Sequence, residues 1–325
     1  MDYLSIIKEP IVEELSAFNS LFTESLSHTD GLLESALSHI RQRGGKRMRP
    51  LLTLLIAKNY GGVNMTTQYA AVGLELLHTA SLVHDDVVDE SGERRGQPSV
   101  NASFNNKVAV LVGDYILSTA LYYVSKSDHT EIIRGLAQLG QILSTGELVQ
   151  LNNISNKEFS EEIYYNIINM KTASLFANCA RNGAISANAS KEEVEAATAF
   201  GDSIGMIFQI RDDIFDYYDS KDIGKPTGND MLEGKLTLPV LYALNTHGSE
   251  AMFNLARKVK NGRINNDEIA VLVEFAKEIG GIDYAIKRMD DYSNLARNYI
   301  ENHVTNPDIK TALNAYLEFV AQRIF

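Results

Sequence analysis

The chain has 325 residues, of which 45% are hydrophobic, enough to bury one large core or two average ones. Its formal net charge of −12 argues against a nucleic-acid partner and against general binding to anionic membranes. Its one cysteine, Cys179, excludes an internal disulfide or a cysteine metal site, as is usual in a reducing compartment. The N-terminal residues lack the pattern of a signal peptide, and no apolar run of about 18 residues occurs, so we predict a cytoplasmic protein with no membrane span.

Apolar residues recur at three- and four-residue spacing along most of the chain, and strand-like alternation is not evident. No linker or low-complexity tract interrupts the pattern. We therefore predict an all-α fold in a single domain over residues 1–325. In chain order, the predicted helices cover 6–22, 32–40, 51–59, 66–88, about 103–123 with a potential break at 113–114, and 131–151, followed by one from Ser160 that carries Lys171, one from the capping box of Ser190 and Glu193, and several after Pro239.

A basic loop separates the second and third predicted helices. Residues 44–49 combine two glycines with three basic side chains, and Pro50 suits the first position of the helix that follows. A helix N-terminus beside Lys46, Arg47 and Arg49 is a ready site for an anion. A solvated basic turn is the commoner alternative, and the glycines are also explained by turn geometry.

The helix over 66–88 ends in an acidic cluster. Asp85 and Asp89 lie one turn apart, so their carboxylates share a face and can bind one hard cation through oxygen, with Asp86 between them. Arg94 and Arg95 follow within the next loop. The spacing of two carboxylates is by itself a weak signal.

A polar track runs along the same helix upstream of the cluster. Glu75 and His78 spell the Glu-x-x-His of di-iron bundles, but that interpretation needs a second copy, which the chain lacks. His78 is therefore either a core histidine or a hydrogen-bond donor to a ligand near Asp85. Periodicity alone favours the core.

A second acidic cluster closes the helix that starts at Ser190. Asp212, Asp213 and Asp216 again stand three and four residues apart. Two such helices facing each other would form an acidic cavity, whose carboxylates resist ionising together unless cations and an anionic ligand complete the site. We therefore expect magnesium and phosphate there. Lys225 and Lys235 follow in a loop whose charge indicates a bound ligand.

Six stretches of this sequence, in this order, resemble the trans-isoprenyl diphosphate synthases, the polyprenyl synthase family, in particular long-chain types such as the octaprenyl diphosphate synthases. The likeness covers nearly the whole chain. It implies a single-domain helical bundle of the isoprenoid synthase type with a central cavity. The implied reaction is the magnesium-dependent head-to-tail condensation of isopentenyl diphosphate with an allylic diphosphate. The stretches are 44–50, 77–96, 146–150, 171–172, 208–216 and 234–239.

The resemblance also implies roles for single residues. Asp85, Asp89, Asp212 and Asp216, with Asp86 and Asp213 as partial ligands, would bind about three magnesium ions that bridge the allylic diphosphate. The same diphosphate would be neutralised by Arg94, Lys171, Lys225 and Lys235 and would accept hydrogen bonds from Thr172 and Gln209. The implied ligands of isopentenyl diphosphate are Lys46, Arg49, His78 and Arg95. His78 thereby moves from a predicted core residue to a predicted ligand.

Product length is predicted from the residues one turn before the first cluster. Enzymes of this family that stop early place a bulky aromatic residue about there, whereas Ala80 and Ser81 are small. Leu77 continues the same face, and Tyr122 or Tyr123 of a neighbouring helix could form the floor of a tunnel. One helical turn rises about 5.4 Å and admits roughly one isoprene unit, so we predict an all-trans product of about C30 to C45. One alternative is that Ala80 and Ser81 are small for helix packing alone. Another is a shorter product, geranylgeranyl or farnesyl diphosphate.

Three other classes of protein remain as alternatives at this stage. A class I terpene cyclase uses an aspartate-rich helix and magnesium, but usually lacks the second motif and the basic pocket. A non-catalytic partner subunit would tolerate loss of aspartates, and a metal-stabilised scaffold leaves the basic groups unexplained. The family is commonly homodimeric, and the apolar helix 108–123 is a plausible interface.

Overall fold

The computed structural model describes residues 2–42, 45–94, 96–156, 158–218 and 227–322. Two predicted site residues, Arg95 and Lys225, lie outside these ranges. The helices are α1 (Tyr3–Lys8), α2 (Val12–Ser25), α3 (Gly31–Gln42), α4 (Met48–Tyr60), α5 (Met65–Val88), α6 (Val100–Phe104), α7 (Asn106–Ser125), α8 (Thr130–Ser155), α9 (Glu161–Ile168), α10 (Ser174–Ser186), α11 (Lys191–Phe215), α12 (Asn229–Leu232), α13 (Leu238–His247), α14 (Glu250–Lys260), α15 (Asn266–Glu278), α16 (Gly281–His303) and α17 (Pro307–Gln322).

The all-α prediction is confirmed, with one small exception. Strands β1 (Glu93–Arg94) and β2 (Gln97–Pro98) form an antiparallel hairpin in which Arg94 faces Gln97. Gly96 adopts a φ of 75° at its turn, a conformation that glycine reaches without steric cost. Strands of two residues are too short to show alternating apolar and polar side chains, so the sequence pattern predicts only a loop here.

Several predicted helix boundaries were wrong. The helix predicted over 6–22 is divided by a short 3₁₀ turn at Glu9–Ile11, which contains Pro10. The helix at the basic loop begins at Met48, so Pro50 is its third residue and not its first. The region predicted to start near Ser103 contains α6 and α7, separated at Asn105, whose φ is 113°.

The break considered at Gly113 does not occur, and α7 is continuous there. A Cβ at Gly113 would lie 2.2 Å from Nε2 of His84 on α5. The glycine therefore permits the close approach of two helices, which does not require the helix to end.

Helices α5 and α11 form the centre of the fold, and each ends in an acidic cluster. Helix α5 packs against α2, α4, α7, α8 and α10, while α11 packs against α10, α13, α16 and α17. The core falls into two hydrophobic clusters, and α11 contributes to both, through Phe200 and Ile204 in one and Ile210 and Ile214 in the other. Both hydrophobic clusters are thus built on a shared helix, and the single domain over residues 1–325 stays a prediction. Cys179 is fully buried in the first cluster.

Among the residues that the structure describes, one helix is long and apolar enough to cross a membrane, namely α7. Its side chains Val112, Ile116 and Ala120 are buried, and the helix packs against α5. A core helix of a folded domain meets the same criterion, so length and composition alone do not make α7 a membrane span.

Candidate active site

The first acidic cluster lies where α5 ends, and its three carboxylates have different surroundings. Asp85 is half-buried, Asp86 is fully buried, and Asp89 is exposed just beyond the last helical residue. The backbone N–H of Asp89 donates to the carbonyl oxygen of Asp85 at 2.8 Å, so both residues keep the helical spacing. The predicted pair therefore remains on one face at the mouth of the helix.

Burial and neighbouring negative charge act on Asp85. Its pKa is raised to about 6, first by burial and then by Glu147, against the opposing charges of Lys171 and Arg94. The ionised form is thus destabilised in the protein alone. A bound cation would stabilise the ionised form of Asp85, which agrees with the cation site predicted from the sequence.

Asp86 anchors an arginine. The Nε of Arg94 donates to Asp86 Oδ1 at 2.5 Å, and the side chain of Asn101 donates to the carbonyl oxygen of Asp86 at 3.1 Å. Asp86 is 0% exposed, so this ion pair is shielded from solvent on the aspartate side. Its position fits a residue that orients Arg94 better than a direct metal ligand.

The second acidic cluster ends α11, and again each carboxylate has its own partners. Asp212 forms an ion pair with the neighbouring Arg211 and remains partly exposed. Asp216 accepts hydrogen bonds from the backbone N–H groups of Asn229 at 2.9 Å and Asp230 at 3.0 Å, so it caps the start of α12. These contacts hold Asn229 and Asp230 beside the second acidic cluster.

Asp213 is held in a buried hydrogen-bond network. The hydroxyl of Tyr164 donates to its Oδ2 at 2.6 Å, and Gln209 Nε2 donates to its Oδ1 at 2.8 Å. Gln209 accepts in turn from the hydroxyl of Thr172 at 2.8 Å. Burial, reinforced by the charge of Asp230, raises the pKa of Asp213 well above its usual range. The predicted diphosphate ligands Thr172 and Gln209 are thus tied to the second acidic cluster.

Two lysines, Lys171 and Lys235, lie near the acidic clusters and are each paired with a glutamate. Lys171 forms an ion pair with Glu147, and Lys235 Nζ lies 2.6 Å from Glu233 Oε2. Burial lowers the pKa of Lys235, but the bond to Glu233 and the charges of Asp230 and Asp89 outweigh it, and the net pKa is raised. Lys235 therefore lies within the field of Asp89 of the first cluster. Together with Lys171, Thr172, Gln209 and the second-cluster residue Asp213, it lines a cavity of about 230 Å³.

The basic loop lines a second cavity of about 460 Å³. Lys46, Arg47, Arg49 and Arg211 face it, beside the carboxylate of Glu75. Aromatic rings complete the wall, since the Arg49 guanidinium lies 4.9 Å from the ring centroid of Phe176 and the Lys46 ammonium 5.1 Å from that of Phe319. So many cations in one cavity favour an anionic ligand.

His78 and Arg94 line a smaller cavity of about 80 Å³ next to the basic one. The two cavities share Gly45, Arg47 and Glu75. The structure thus brings Lys46, Arg49 and His78 into one region, as predicted, and places Arg94 at its edge.

Sequence reasoning missed Arg211 and Tyr164. Arg211 directly precedes the second acidic cluster, so its position in the sequence was an available signal. Tyr164 had no signal, because its contact with Asp213 spans 49 residues.

The predicted chain-length residues are only partly internal. Leu77 and Ala80 are buried and Ser81 is half-buried, with its hydroxyl bonded to the carbonyl of His78 at 2.9 Å. Tyr123 is 5% exposed, whereas Tyr122 is 59% exposed. Tyr122 therefore cannot form the floor of a tunnel inside this single chain, and Tyr123 is the member of the pair that lies inside.

Lys171 and Thr172 lie in a π-helical turn, Asn169–Ala173, between α9 and α10. Such turns are frequent at functional sites. Gly205 of α11 packs directly on this turn, because a Cβ there would lie 2.4 Å from Cα of Ala173. Helix α11 therefore sets the position of the turn through backbone contact.

Replacing Gly205 with Ala is expected to lower the free energy of unfolding by about 1–3 kcal/mol, because the added methyl group has no room and must displace the turn. Chemical denaturation measures the change. Gly140→Ala on α8 is the matched control, since its Cβ would meet only Leu77 Cδ1 at 3.9 Å, an ordinary contact. Equal stability of both variants would contradict the close packing at Gly205.

The acidic clusters have the right donors for magnesium but do not enclose it. Within the described ranges, no group of three or more His, Cys, Asp or Glu side chains could hold a metal ion. Magnesium usually takes one or two carboxylates and obtains its other ligands from water and substrate phosphates. Half-buried Asp85, beside Asp89 one turn on, fits that pattern.

Comparison with known proteins agrees with this geometry. A family model described as polyprenyl synthetase matches residues 30–276. The chain is 35% identical over 303 residues to the all-trans-nonaprenyl-diphosphate synthase (geranyl-diphosphate specific) of Rhodobacter capsulatus, covering 93% of this chain and 92% of that protein. It is 37% identical over 264 residues to the octaprenyl diphosphate synthase of Haemophilus influenzae, covering 81% and 80%.

Among solved structures, the geranylgeranyl pyrophosphate synthase from Bacteroides thetaiotaomicron matches with a TM-score of 0.87 and 50% identity, covering 99% of this chain and 100% of that one. The fold and the site thus define a prenyltransferase of the all-α isoprenoid synthase class. The chain belongs to the polyprenyl synthetase family. The resemblance drawn from the sequence is therefore confirmed.

Proposed function

We propose that the protein condenses isopentenyl diphosphate head to tail with an allylic diphosphate to make a long all-trans polyprenyl diphosphate. The observation that carries the proposal is the arrangement of two acidic helix ends, with Lys171 and Lys235 near the first and lining a cavity with Asp213 of the second, beside a separate cavity lined by four basic side chains. Two anionic substrates have two places to bind, and a cyclase with one substrate would need only the first.

The allylic diphosphate would bind between the acidic clusters. Lys171, Lys235 and Arg94 offset its negative charge, and more of that charge develops on it as the carbon–oxygen bond breaks. Side chains fixed in advance by Glu147, Glu233 and Asp86 stabilise this charge without reorganising. Lys225 belongs to the same proposed set.

Asp85, Asp89, Asp212 and Asp216 would hold magnesium, about three ions per site, and Asp86 and Asp213 would support the clusters. When bound, magnesium supplies charge neutralisation for the leaving diphosphate. These aspartates fit this role because their oxygen donors lie beside the basic side chains that would bind the same diphosphate.

Isopentenyl diphosphate would bind in the basic cavity through Lys46, Arg49, His78 and Arg95. The carbon–oxygen bond of the allylic diphosphate breaks first, and the double bond of isopentenyl diphosphate then attacks the allylic cation to form one carbon–carbon bond. The proton lost afterwards passes to the departed diphosphate. Phe176, Phe208 and Phe319 line the basic cavity, and with both substrates bound they would help to keep water, which quenches the cation, out of the site.

A long product is supported by the small, buried Ala80 one turn before Asp85, and by similarity to proteins named nonaprenyl and octaprenyl diphosphate synthases. The expected length is about C30 to C45, at one isoprene unit per helical turn. A geranylgeranyl product is the second candidate, since a structure with that title is 50% identical.

Incorporation of labelled isopentenyl diphosphate into geranylgeranyl diphosphate in the presence of Mg²⁺ separates these candidates. A long-chain enzyme extends this primer and gives larger products by mass spectrometry, whereas a geranylgeranyl diphosphate synthase leaves it unchanged and extends farnesyl diphosphate once. The absence of incorporation with any primer would refute the proposed activity. Consumption of a primer without isopentenyl diphosphate would favour a cyclase.

A second copy of the chain is the proposed partner, in a homodimer. Helices α7 and α8 pack together and expose large apolar side chains, among them Leu111 at 68% and Leu148 at 67%. Tyr122 lies on the same exposed face of α7. Such a surface favours association, and light scattering of the purified protein measures its mass. We also propose a cytoplasmic location, in line with the single buried thiol.

A further inference from the structure

Besides the ion pair between Arg94 and Asp86, hydrogen bonds at two places hold the hairpin that carries Arg94. At its base, the hydroxyl of Ser99 donates to the carbonyl of Ser91 at 2.7 Å, and Asn101 donates to the same carbonyl at 3.1 Å. Asn101 also donates to the carbonyl of Asp86 at 3.1 Å, which ties this base to the end of α5. At the other strand, Nε2 of His39 lies 2.9 Å from the carbonyl oxygen of Pro98. His39 is a residue of α3, so this bond joins the hairpin to a different helix.

The direction of the bond is fixed by its partners. A carbonyl oxygen only accepts, so the Nε2 nitrogen of His39 carries the proton and donates it to Pro98. The ring also packs edge-on against Phe104, with centroids 5.9 Å apart. The hydroxyl of Ser103 lies 3.3 Å from the same nitrogen, a longer contact.

Helix α3 is itself part of the site. Ile40 and Arg41, directly after His39, line the small cavity together with His78 and Arg94. The helix ends at Gln42, just before the basic loop that carries Lys46 and Arg49. A bond from α3 to the hairpin therefore links the arginine side of the site with the basic loop.

Pro98 lies opposite Glu93 in the hairpin, next to the Arg94–Gln97 pair. A bond at Pro98 thus acts on the strand that carries Arg94, while Asp86 orients the guanidinium itself. Without the bond, the hairpin keeps its base but gains freedom at the end that faces α3.

We propose that His39 is a positioning residue of the active site, which holds the arginine hairpin against α3 through its bond to Pro98. The inference rests on the proposed function, in which Arg94 binds the allylic diphosphate. His39 contacts Pro98 and acts only through the placement of Arg94.

Three variants isolate the bond. His39→Phe keeps a ring against Phe104 but removes the donor, His39→Gln keeps an N–H donor of similar reach, and Ser103→Ala removes the longer contact while leaving the bond to Pro98. Loss of one hydrogen bond should raise the KM for the allylic diphosphate in H39F by about 3- to 10-fold, with kcat at saturation changed less than about twofold. H39Q and S103A should keep KM near the wild-type value.

Limited trypsin digestion measures how firmly the hairpin is held, and it does not depend on enzyme activity. Cleavage after Arg94 or Arg95, identified by mass, should be about 3- to 10-fold faster in H39F than in wild type, H39Q or S103A.

Thermal melting checks that all variants fold. Wild-type KM in H39F despite faster cleavage would overturn the positioning role, and unchanged cleavage would overturn the bond's role in holding the hairpin. Failure of H39Q to restore both readouts would assign the effect to the ring and not to the bond. A wild-type enzyme that incorporates no isopentenyl diphosphate would instead refute the proposed function, and the digestion result would still stand.

Discussion

Asp85→Ala and Asp212→Ala are each expected to lower kcat by at least about 10²- to 10³-fold, a loss of the size found when a group that stabilises transition-state charge is removed. Each aspartate belongs to a different acidic cluster, and both clusters face the proposed site of the allylic diphosphate. Incorporation of labelled isopentenyl diphosphate at saturating Mg²⁺ measures the effect. Near-normal turnover in either variant would mean that the site is misplaced.

The folded state of Asp85→Ala should not suffer. The pKa of Asp85 is raised to about 6 in the folded protein, so its ionised form is less stable there than in the unfolded chain. The stability that a raised carboxyl pKa confers is present at low pH and is lost as the pH rises through about 6. In EDTA at pH 8, the melting temperature of Asp85→Ala should therefore equal or exceed that of wild type. Asp290→Ala, an exposed change on α16, is the matched control for activity.

Ala80→Phe is expected to shorten the main product by several isoprene units, because it places a ring on the buried face of α5 one turn before Asp85. Ala80→Leu should give an intermediate length. Mass analysis of the products with a short allylic primer measures both. An unchanged product distribution in a folded, active Ala80→Phe enzyme would refute the tunnel.

Overpacking is the main risk of this experiment, since Ala80 is 1% exposed and a larger side chain costs about 1–3 kcal/mol in a packed core. Ser81→Phe provides a second test, because Ser81 is only half-buried. Shortened products from Ser81→Phe would support the same tunnel even where Ala80→Phe fails to fold.

The acidic clusters were predictable because helical spacing is local. Asp85 and Asp89 share a face for the same reason that any residues four apart do, and no tertiary contact is needed. His78 shows the limit of such reasoning. Periodicity favoured the core, and only the resemblance to a known family made it a ligand. The structure then placed it beside the basic cavity.

Other features depended on contacts that local patterns do not contain. The pairing of Asp86 with Arg94 joins the end of α5 to a residue of β1 beyond the loop that follows the helix, which helical spacing does not predict. Tyr122 and Tyr123 are adjacent in the sequence and equally apolar in pattern, yet only the packing of α7 decides which one is buried. Gly113 suggested a break in a helix, whereas the approach of His84 accounts for it.

The basic cavity is closed by the last helix of the chain. Phe319 and Val320 of α17 form part of its wall, Arg211 donates to the carbonyl of Val320 at 2.7 Å, and Tyr316 donates to the carbonyl of Met48 at 2.8 Å across 268 residues. Contacts of such long range form late and slowly in folding. During synthesis, the residues of the first acidic cluster are made well before those of α17 that complete the basic cavity. Among the described residues of the site, the wall of the cavity proposed for isopentenyl diphosphate is therefore the last to be made.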